Sequence, residues 1–283
     1  MSPLVWQCRD HRIAIGRRPL VMGIVNVTPD SFSDGGKFAD PTAAIEHGLC
    51  LAAEGADILD VGGESTRPGS GPISTAEEVR RVVPVVGGLA GRTRALISVD
   101  TSKSEVAQRC LDAGAAIIND VTGLRGDPDM SAVAATAGAG VVVMHMQGNP
   151  ATMQADPHYT DVVAEVAGFF EERLHALAAA GISPDAVCLD PGIGFGKALD
   201  HNLALLANLG AFARFGRPVC LGVSRKGFIG TLCNRAVAER GPGSLAVACF
   251  AAARGTAQVL RVHDVGPTRD AAVLLEAIGF TGG

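Results

Sequence analysis

Aromatic side chains are scarce in this 283-residue sequence, at 4% with a single Trp and a single Tyr, while glycine reaches 36 residues. That balance argues against an aromatic-cored sandwich and for tight loops with close packing of helices on a sheet. Long apolar runs are missing as well: no stretch of eighteen apolar residues occurs, so no membrane-spanning helix is expected. The first residues, MSPLVWQCRDHRIAIGRRPL, carry charges where a signal peptide needs a continuous apolar core. Cytoplasmic localisation is the expectation. No Lys/Arg run is present and the net charge is -5, which makes nucleic acid and membrane unexpected partners and leaves a small local anion site open. The seven cysteines, Cys8, Cys50, Cys110, Cys188, Cys220, Cys233 and Cys249, form no CxxC pair and sit mostly in apolar segments. They are read as buried reduced thiols rather than zinc ligands or disulfides.

What is present is a rhythm. Short apolar runs at 20–26 (LVMGIVN), 57–61 (DILDV), 96–100 (LISVD), 116–120 (AIIND), 140–144 (GVVVM), 187–190 (VCLD), 219–223 (VCLGV) and 258–262 (QVLRV) have the continuous character of parallel strands buried on both faces. Helical patterns alternate with them near 42–54, 75–90, 103–113, 129–138, 160–180, 202–214, 243–254 and 268–278. Ser74 with Glu77, and Ser102 with Glu105, have capping-box spacing, and Thr160 precedes the periodic VVAEVAGFFEERLHAL. Eight strands alternating with eight helices predict an α/β fold of the (β/α)8 barrel type. The expectation is one domain over 1–283, with the barrel at about 20–280 and the preceding segment a small hairpin or cap across the barrel bottom.

The polar residues gather at the carboxyl ends of these strands: Asn26, Asp60, Asp100, Asn119, His145, Asp190, Lys226, Arg261 and His263. Barrel active sites are built at that rim. Two long polar loops, NVTPDSFSDGGKF after the first strand and GGESTRPGSGP after the second, read as lids over a shared site. The segment DPGIGFGK (190–197) resembles a phosphate loop only superficially, because Pro191 stands where the first glycine belongs and Ala198 replaces the Ser/Thr. Its glycines instead let backbone approach a planar ligand, with Asp190 offering two acceptor oxygens, although a turn or cap role for Asp190 stays open. Arg261 and His263 are two apart on a strand and share a face, which suits a grip on an anion. His145 and His201 have no second ligand at metal spacing and read as hydrogen-bonding residues, and no nucleophile elbow is found.

In order along the chain, GIVNVTPDSFSDGG (23–36), DVGGESTRPGS (60–70), SVDT (98–101), NDVTG (119–123), MHMQGNP (144–150), DPGIGFGK (190–197), GVSRKGFIG (222–230) and RVHDV (261–265) resemble the motifs of the dihydropteroate synthase family of pterin-binding barrels. The resemblance implies a transferase of folate biosynthesis and sulfonamide target that joins a dihydropterin pyrophosphate to p-aminobenzoate and releases pyrophosphate. It implies pterin contacts from Asp100, Asn119, Asp190 and Lys226, with Met144, Gly194 and Phe195 lining the pocket. Arg261 and His263 with Thr66 would take the pyrophosphate, and Lys226, Arg261 and His263 the catalytic work. Asn26 would bind Mg2+, and Phe32, Ser65, Arg67 and Pro68 the p-aminobenzoate. A homodimer is expected from the same resemblance and from the apolar late segment SLAVACFAAARG (244–255). Gly227 departs from the pattern, since family members often carry Ser there. A pterin-binding methyltransferase barrel would share Asp100, Asn119 and Asp190 but needs neither the Arg-x-His pair nor the STRPGS loop.

Overall fold

In a computed structural model of the chain, the structure describes residues 4–28, 41–65, 71–149 and 152–279. It opens with a hairpin, β1 (Val5–Cys8) and β2 (His11–Ala14), paired antiparallel with Trp6 opposite Ile13. The alternation then runs β3 (Leu20–Asn26), α1 (Pro41–Ala53), β4 (Ile58–Gly62), α2 (Thr75–Leu89), β5 (Leu96–Asp100), α3 (Ser104–Asp112), β6 (Ile117–Asp120), α4 (Met130–Ala137) and β7 (Gly140–Met144). It continues with α5 (Val162–Ala179), β8 (Val187–Asp190), α6 (Leu199–Ala207), β9 (Cys220–Gly222), α7 (Gly227–Cys233), α8 (Gly241–Ala253), β10 (Val259–Val262) and α9 (Val265–Ala277). Strands β3 to β10 form one eight-stranded parallel sheet in which β10 pairs with both β9 and β3. An isolated parallel bridge, Leu189 to Val219, joins β8 to the approach of β9 and nearly closes the ring. This is the expected (β/α)8 architecture, with the expected hairpin before it.

Alternation along each strand explains the two cores. Val21, Leu59, Ile118, Val141, Val143, Leu189, Leu221 and Leu260 pack outward with the helices, while Met22, Ile58, Ile117, Val142, Cys188, Cys220 and Val259 form a separate inner cluster at the barrel bottom. Trp6 of the hairpin is fully buried in that inner cluster, and its indole N–H donates to the Ala186 carbonyl at 2.9 Å. The hairpin sits so close that a Cβ on Gly140 would lie 2.4 Å from Cys8 Sγ, which is why β7 begins with glycine.

Several local expectations change. The Ser74 cap holds, accepting from the Glu77 backbone N–H. The Ser102–Glu105 box does not form: α3 starts one residue later, with Lys103 at the N-cap, and Asp127 from a loop 23 residues beyond Ser104 accepts from the Ser104 N–H at 2.8 Å. Asp161 rather than Thr160 caps α5, accepting from Val163 and Ala164 N–H. The helix expected over 202–214 is broken after Ala207, with a 3-10 segment over Leu209–Phe215. The short α7 was not anticipated. All seven cysteines are free, but Cys50 and Cys233 are exposed and Cys249 is partly so, which corrects the reading of them as buried.

Candidate active site

One pleat above the inner apolar layer, the same strand faces turn polar. Asp60 lies two residues after Ile58, Asn119 after Ile117, Asp190 after Cys188, and Arg261 after Val259, so all four point into the barrel mouth. The Arg261 guanidinium bridges two carboxylates, its Nε donating to Asp60 Oδ2 and its second amino group to Asp100 Oδ2, each at 2.6 Å. Asn119 Nδ2 also donates to Asp60 Oδ2 at 3.0 Å. Asp60 is completely buried, and its other oxygen has no hydrogen-bond partner.

Across the mouth, Asp190 and Lys226 meet over Gly222. A Cβ there would lie 3.9 Å from Asp190 Oδ2, 3.9 Å from Lys226 Nζ and 4.0 Å from Arg261 Cβ, so the missing side chain keeps a space shared by one carboxylate and one ammonium, beside the stem of Arg261. Of the two roles left open by the sequence, the turn role is present: Asp190 Oδ1 accepts from the Gly192 N–H at 2.7 Å, while Oδ2 faces the space over Gly222. Lys226 donates to the Ile193 carbonyl and stands 4.5 Å from the Phe195 ring centre. Phe195 packs with Val121, Met144, Met146 and Met153, which form an apolar wall beside the charges. Gly192 holds a left-handed turn at a φ of 67°, and a Cβ there would lie 1.9 Å from the His145 carbonyl oxygen, so no other residue fits.

Burial tunes these groups. It pushes the Asp100 carboxyl up to about 7, with Arg261 opposing and the carboxylates of Asp60, Glu78 and Asp120 adding to the rise. Asp190 is raised above the ordinary carboxylate range by burial, against the pull of Lys226, the Gly192 N–H, Arg261 and Lys197. Lys226 is lowered to about 8 by burial, with Asp190 working the other way. The mouth can thus present both acceptors and donors that change state near neutrality, a property typical of binding and catalytic sites.

The structure brings together Asp100, Asn119, Met144, Asp190, Gly194, Phe195, Lys226 and Arg261 around the mouth. Asn26 lies at the end of β3, opposite Gly62 of β4. His263 follows β10, and its Nδ1 lies 2.9 Å from Ser224 Oγ, so in this state it and Arg261 engage different partners. Ser65 is partly buried at the start of its loop. Phe32, Thr66, Arg67 and Pro68, with most of the first expected lid loop and the middle of the second, lie outside the described residues. Among the described residues no cluster of three or more His, Cys, Asp or Glu could hold a metal ion. Three residues escaped assignment from the sequence. Asp60 was noted at the rim without a role, although the period of two already turned it inward. Gly222, at the end of its strand, and Lys197, in the loop after β8, carried no signal that separated them from their neighbours.

The fold and this mouth define a class. A family model described as pterin binding enzyme matches residues 22–263. The chain is 50% identical over 259 residues to dihydropteroate synthase of Escherichia coli, covering 92% of this chain and 91% of that one. It superposes with a TM-score of 0.91, at 47% identity and covering 98% and 99% of the two chains, on Xanthomonas albilineans dihydropteroate synthase solved with 4-aminobenzoic acid. A Xanthomonas albilineans dihydropteroate synthase in complex with 7,8-dihydropteroate gives a TM-score of 0.87 at 45% identity, covering 97% and 98%. The chain belongs to the dihydropteroate synthase family, and it is a transferase.

Proposed function

We propose that this chain condenses (7,8-dihydropterin-6-yl)methyl diphosphate with p-aminobenzoate to give 7,8-dihydropteroate and pyrophosphate, using the barrel mouth as one site. The observation that carries the reading is the meeting of Asp190 Oδ2 and Lys226 Nζ over Gly222, next to the Arg261 guanidinium that bridges Asp60 and Asp100. A 2-aminopyrimidinone edge offers adjacent N–H donors that a carboxylate accepts in pairs, which suits Asp190 and Asp100, while Asn119 supplies a donor and an acceptor. Lys226 serves the carbonyl side of the ring. Met144, Gly194 and Phe195 sandwich the flat heterocycle. Phe32, Ser65, Thr66, Arg67 and Pro68 stand as candidates for the p-aminobenzoate and pyrophosphate ends.

The chemistry is substitution at the methylene carbon, in which the carbon–oxygen bond to diphosphate breaks as the aryl amine nitrogen bonds to carbon. The aryl amine is neutral near pH 7, so no strong base is needed to create the nucleophile. Arg261 and His263 neutralise charge developing on the departing diphosphate, and this electrostatic help is the largest contribution expected of the protein. Mg2+ fits this site as a companion of the substrate rather than a resident: the amide oxygen of Asn26 is a hard ligand, and magnesium is commonly held by few protein oxygens plus substrate phosphates and water. Bound in that way, it would supply charge neutralisation to the diphosphate.

The chain is read as one domain and as a homodimer. Phe250 on α8 and Val273, Leu274 and Ile278 on and after α9 are exposed apolar side chains on packed neighbouring helices, which supports a second copy covering them. Sedimentation at micromolar concentration is expected to give the mass of two chains, and monomer alone would refute it. Seven unpaired cysteines support cytoplasmic residence. The functional test is pyrophosphate release, expected only when both substrates and Mg2+ are present. No release under those conditions would overturn the assignment.

A further inference from the structure

One buried cation plays no part in the site as described. Lys197 closes the DPGIGFGK segment, is 2% exposed, and faces no carboxylate at salt-bridge distance among the described residues. Its Nζ is surrounded by acceptors: His145 Nδ1 at 2.9 Å, the Phe195 carbonyl at 2.9 Å and the His145 carbonyl at 3.3 Å. Three acceptors match the three protons of an ammonium. With the ammonium as donor, His145 keeps its own proton on Nε2.

The neighbouring backbone is tied down in the same way, by side chains rather than by regular structure. Tyr159 Oη donates to the Gly196 carbonyl at 2.8 Å and Gln154 Nε2 to the Gly194 carbonyl at 2.6 Å. The Gly194 N–H donates to Asn202 Oδ1 at 2.6 Å, and Asn202 Nδ2 in turn donates to the carbonyls of Lys197 and Ala198. In this net Lys197 links the strand-end segment after β7 to the one after β8. Without it, the Phe195 carbonyl and the His145 ring nitrogen and carbonyl would lose this donor.

We propose that Lys197 is a positioning residue for the pterin site: by tying the Phe195 carbonyl to His145, it sets the height at which Gly194, Phe195 and Asp190 meet the heterocycle. The idea rests on the functional reading above. A second effect follows from charge. The groups facing Asp190 are Lys226 and Arg261 from the ends of β9 and β10, Lys197, the Gly192 N–H, and the thiols of Cys188 and Cys220 below. Around Lys197 stand His145, Tyr159 and, more distantly, Lys226 and Asp190, while Arg125 acts on His145. Burial lowers Lys197 to about 7 and His145 to about 3, so of the pair it is the lysine that takes the charge as pH falls through about 7, and its ammonium then favours the ionised form of Asp190.

The test compares Lys197→Met, which keeps bulk without donor or charge, with Lys197→Arg, which keeps the charge. Both are measured beside the unaltered enzyme, whose pyrophosphate release in the same assay checks the functional reading separately. Lys197→Met is expected to raise the Kd of a 2-amino-4-oxopterin and the KM of the pterin substrate about tenfold or more. It should leave the KM of p-aminobenzoate within about twofold and move the acid limb of pterin binding to higher pH, because Asp190 has lost a cation. Lys197→Arg should keep the acid limb in place. An active unaltered enzyme with unchanged pterin Kd and acid limb in folded Lys197→Met would overturn the proposal, as would equal losses for both substrates. If the Met variant does not fold, the Lys197 Nζ resonance of the unaltered protein decides: a shift on adding the pterin supports the role, and no shift refutes it.

Discussion

Two layers of the same barrel interior, about 7 Å apart along the strands, have opposite characters. The lower one is made of Met22, Ile58, Ile117, Val142, Cys188, Cys220 and Val259 and sealed by Trp6. The upper one, two residues further on in each strand, holds Asp60, Asn119, Met144, Asp190, Gly222 and Arg261. Alternate inward positions of the same strands thus carry apolar groups in one layer and charged and amide groups in the next, and only the side chains differ. The lesson is that charge can be assembled inside a barrel when an apolar floor fixes the strands and each buried carboxylate meets a cation or an amide.

The sharpest way to break that division is to exchange insults between the layers. Arg261→Met should reduce kcat by about 10²–10³-fold, the usual cost of losing a preorganised donor at developing charge. It also strands Asp60 and Asp100, costing about 3 kcal/mol in stability. Because Asp100 can then take up a proton, the stability deficit should shrink as pH falls. Trp6→Ala should cost about 3–5 kcal/mol in denaturant unfolding while leaving the pterin KM of the folded enzyme unaltered. A bottom-layer variant that changed KM as strongly as stability would show that the two layers are not separable.

Next in size is Asp190→Asn. Oδ1 can still accept from the Gly192 N–H, so the turn survives, but an amide N–H then faces the ligand's own N–H where Oδ2 stood. Such a buried mismatch costs about 1–3 kcal/mol, roughly ten- to hundredfold in pterin affinity by calorimetry. Unchanged affinity would remove Asp190 from the site.

Much of this contrast was legible beforehand. All eight barrel strands were placed to within about two residues because strands buried on both faces write continuous apolar runs, and the strand-end polar residues pointed to the rim. What failed was non-local. The start of α3 is decided by Asp127, which no local pattern near Ser102 reveals. Helix α7 is seven residues of GFIGTLC, too short to show a period, and α6 ends where the Asn208 side chain turns back to the Ala204 carbonyl. Lys197 received no role, since its three acceptors come from the segments after two separate strands and no local pattern announces them.

The upper layer should also show itself in pH dependence, where the lower cannot. Asp100 is held near about 7, Asp190 is raised, and Lys226 is lowered to about 8. As pH falls through about 7 Asp100 takes up a proton, and as it rises through about 8 the Lys226 donor loses its charge. The free enzyme's kcat/KM for the pterin substrate should therefore be bell-shaped, with its maximum between about 7 and about 8. Stability carries the opposite sign on the acid side. A carboxyl raised in the fold stabilises most below its ordinary value and loses that contribution as pH rises through about 7. A flat kcat/KM profile from pH about 6 to about 9 would mean that these groups do not touch the ligand.

The smallest expected effect lies at the rim, where Gly227 stands in place of the serine often found in the family. Gly227 is exposed at the first position of α7, and a Cβ there meets nothing within 4 Å, so Gly227→Ser introduces no clash. Two small gains should follow. Removing a glycine from a helical position adds about 0.5 kcal/mol by narrowing the unfolded chain's freedom. If the hydroxyl reaches the benzoate, one added hydrogen bond to a charged group is worth about 1.5 kcal/mol at most in an open setting, and about 0.5 kcal/mol where water competes. The KM for p-aminobenzoate should accordingly fall between about twofold and about tenfold, while the pterin KM stays fixed because Lys226, one residue earlier, keeps its bond to the Ile193 carbonyl. A variant whose pterin KM moves instead would show that α7 and the Lys226 grip shift together, placing the serine's influence on the pterin rather than on the benzoate.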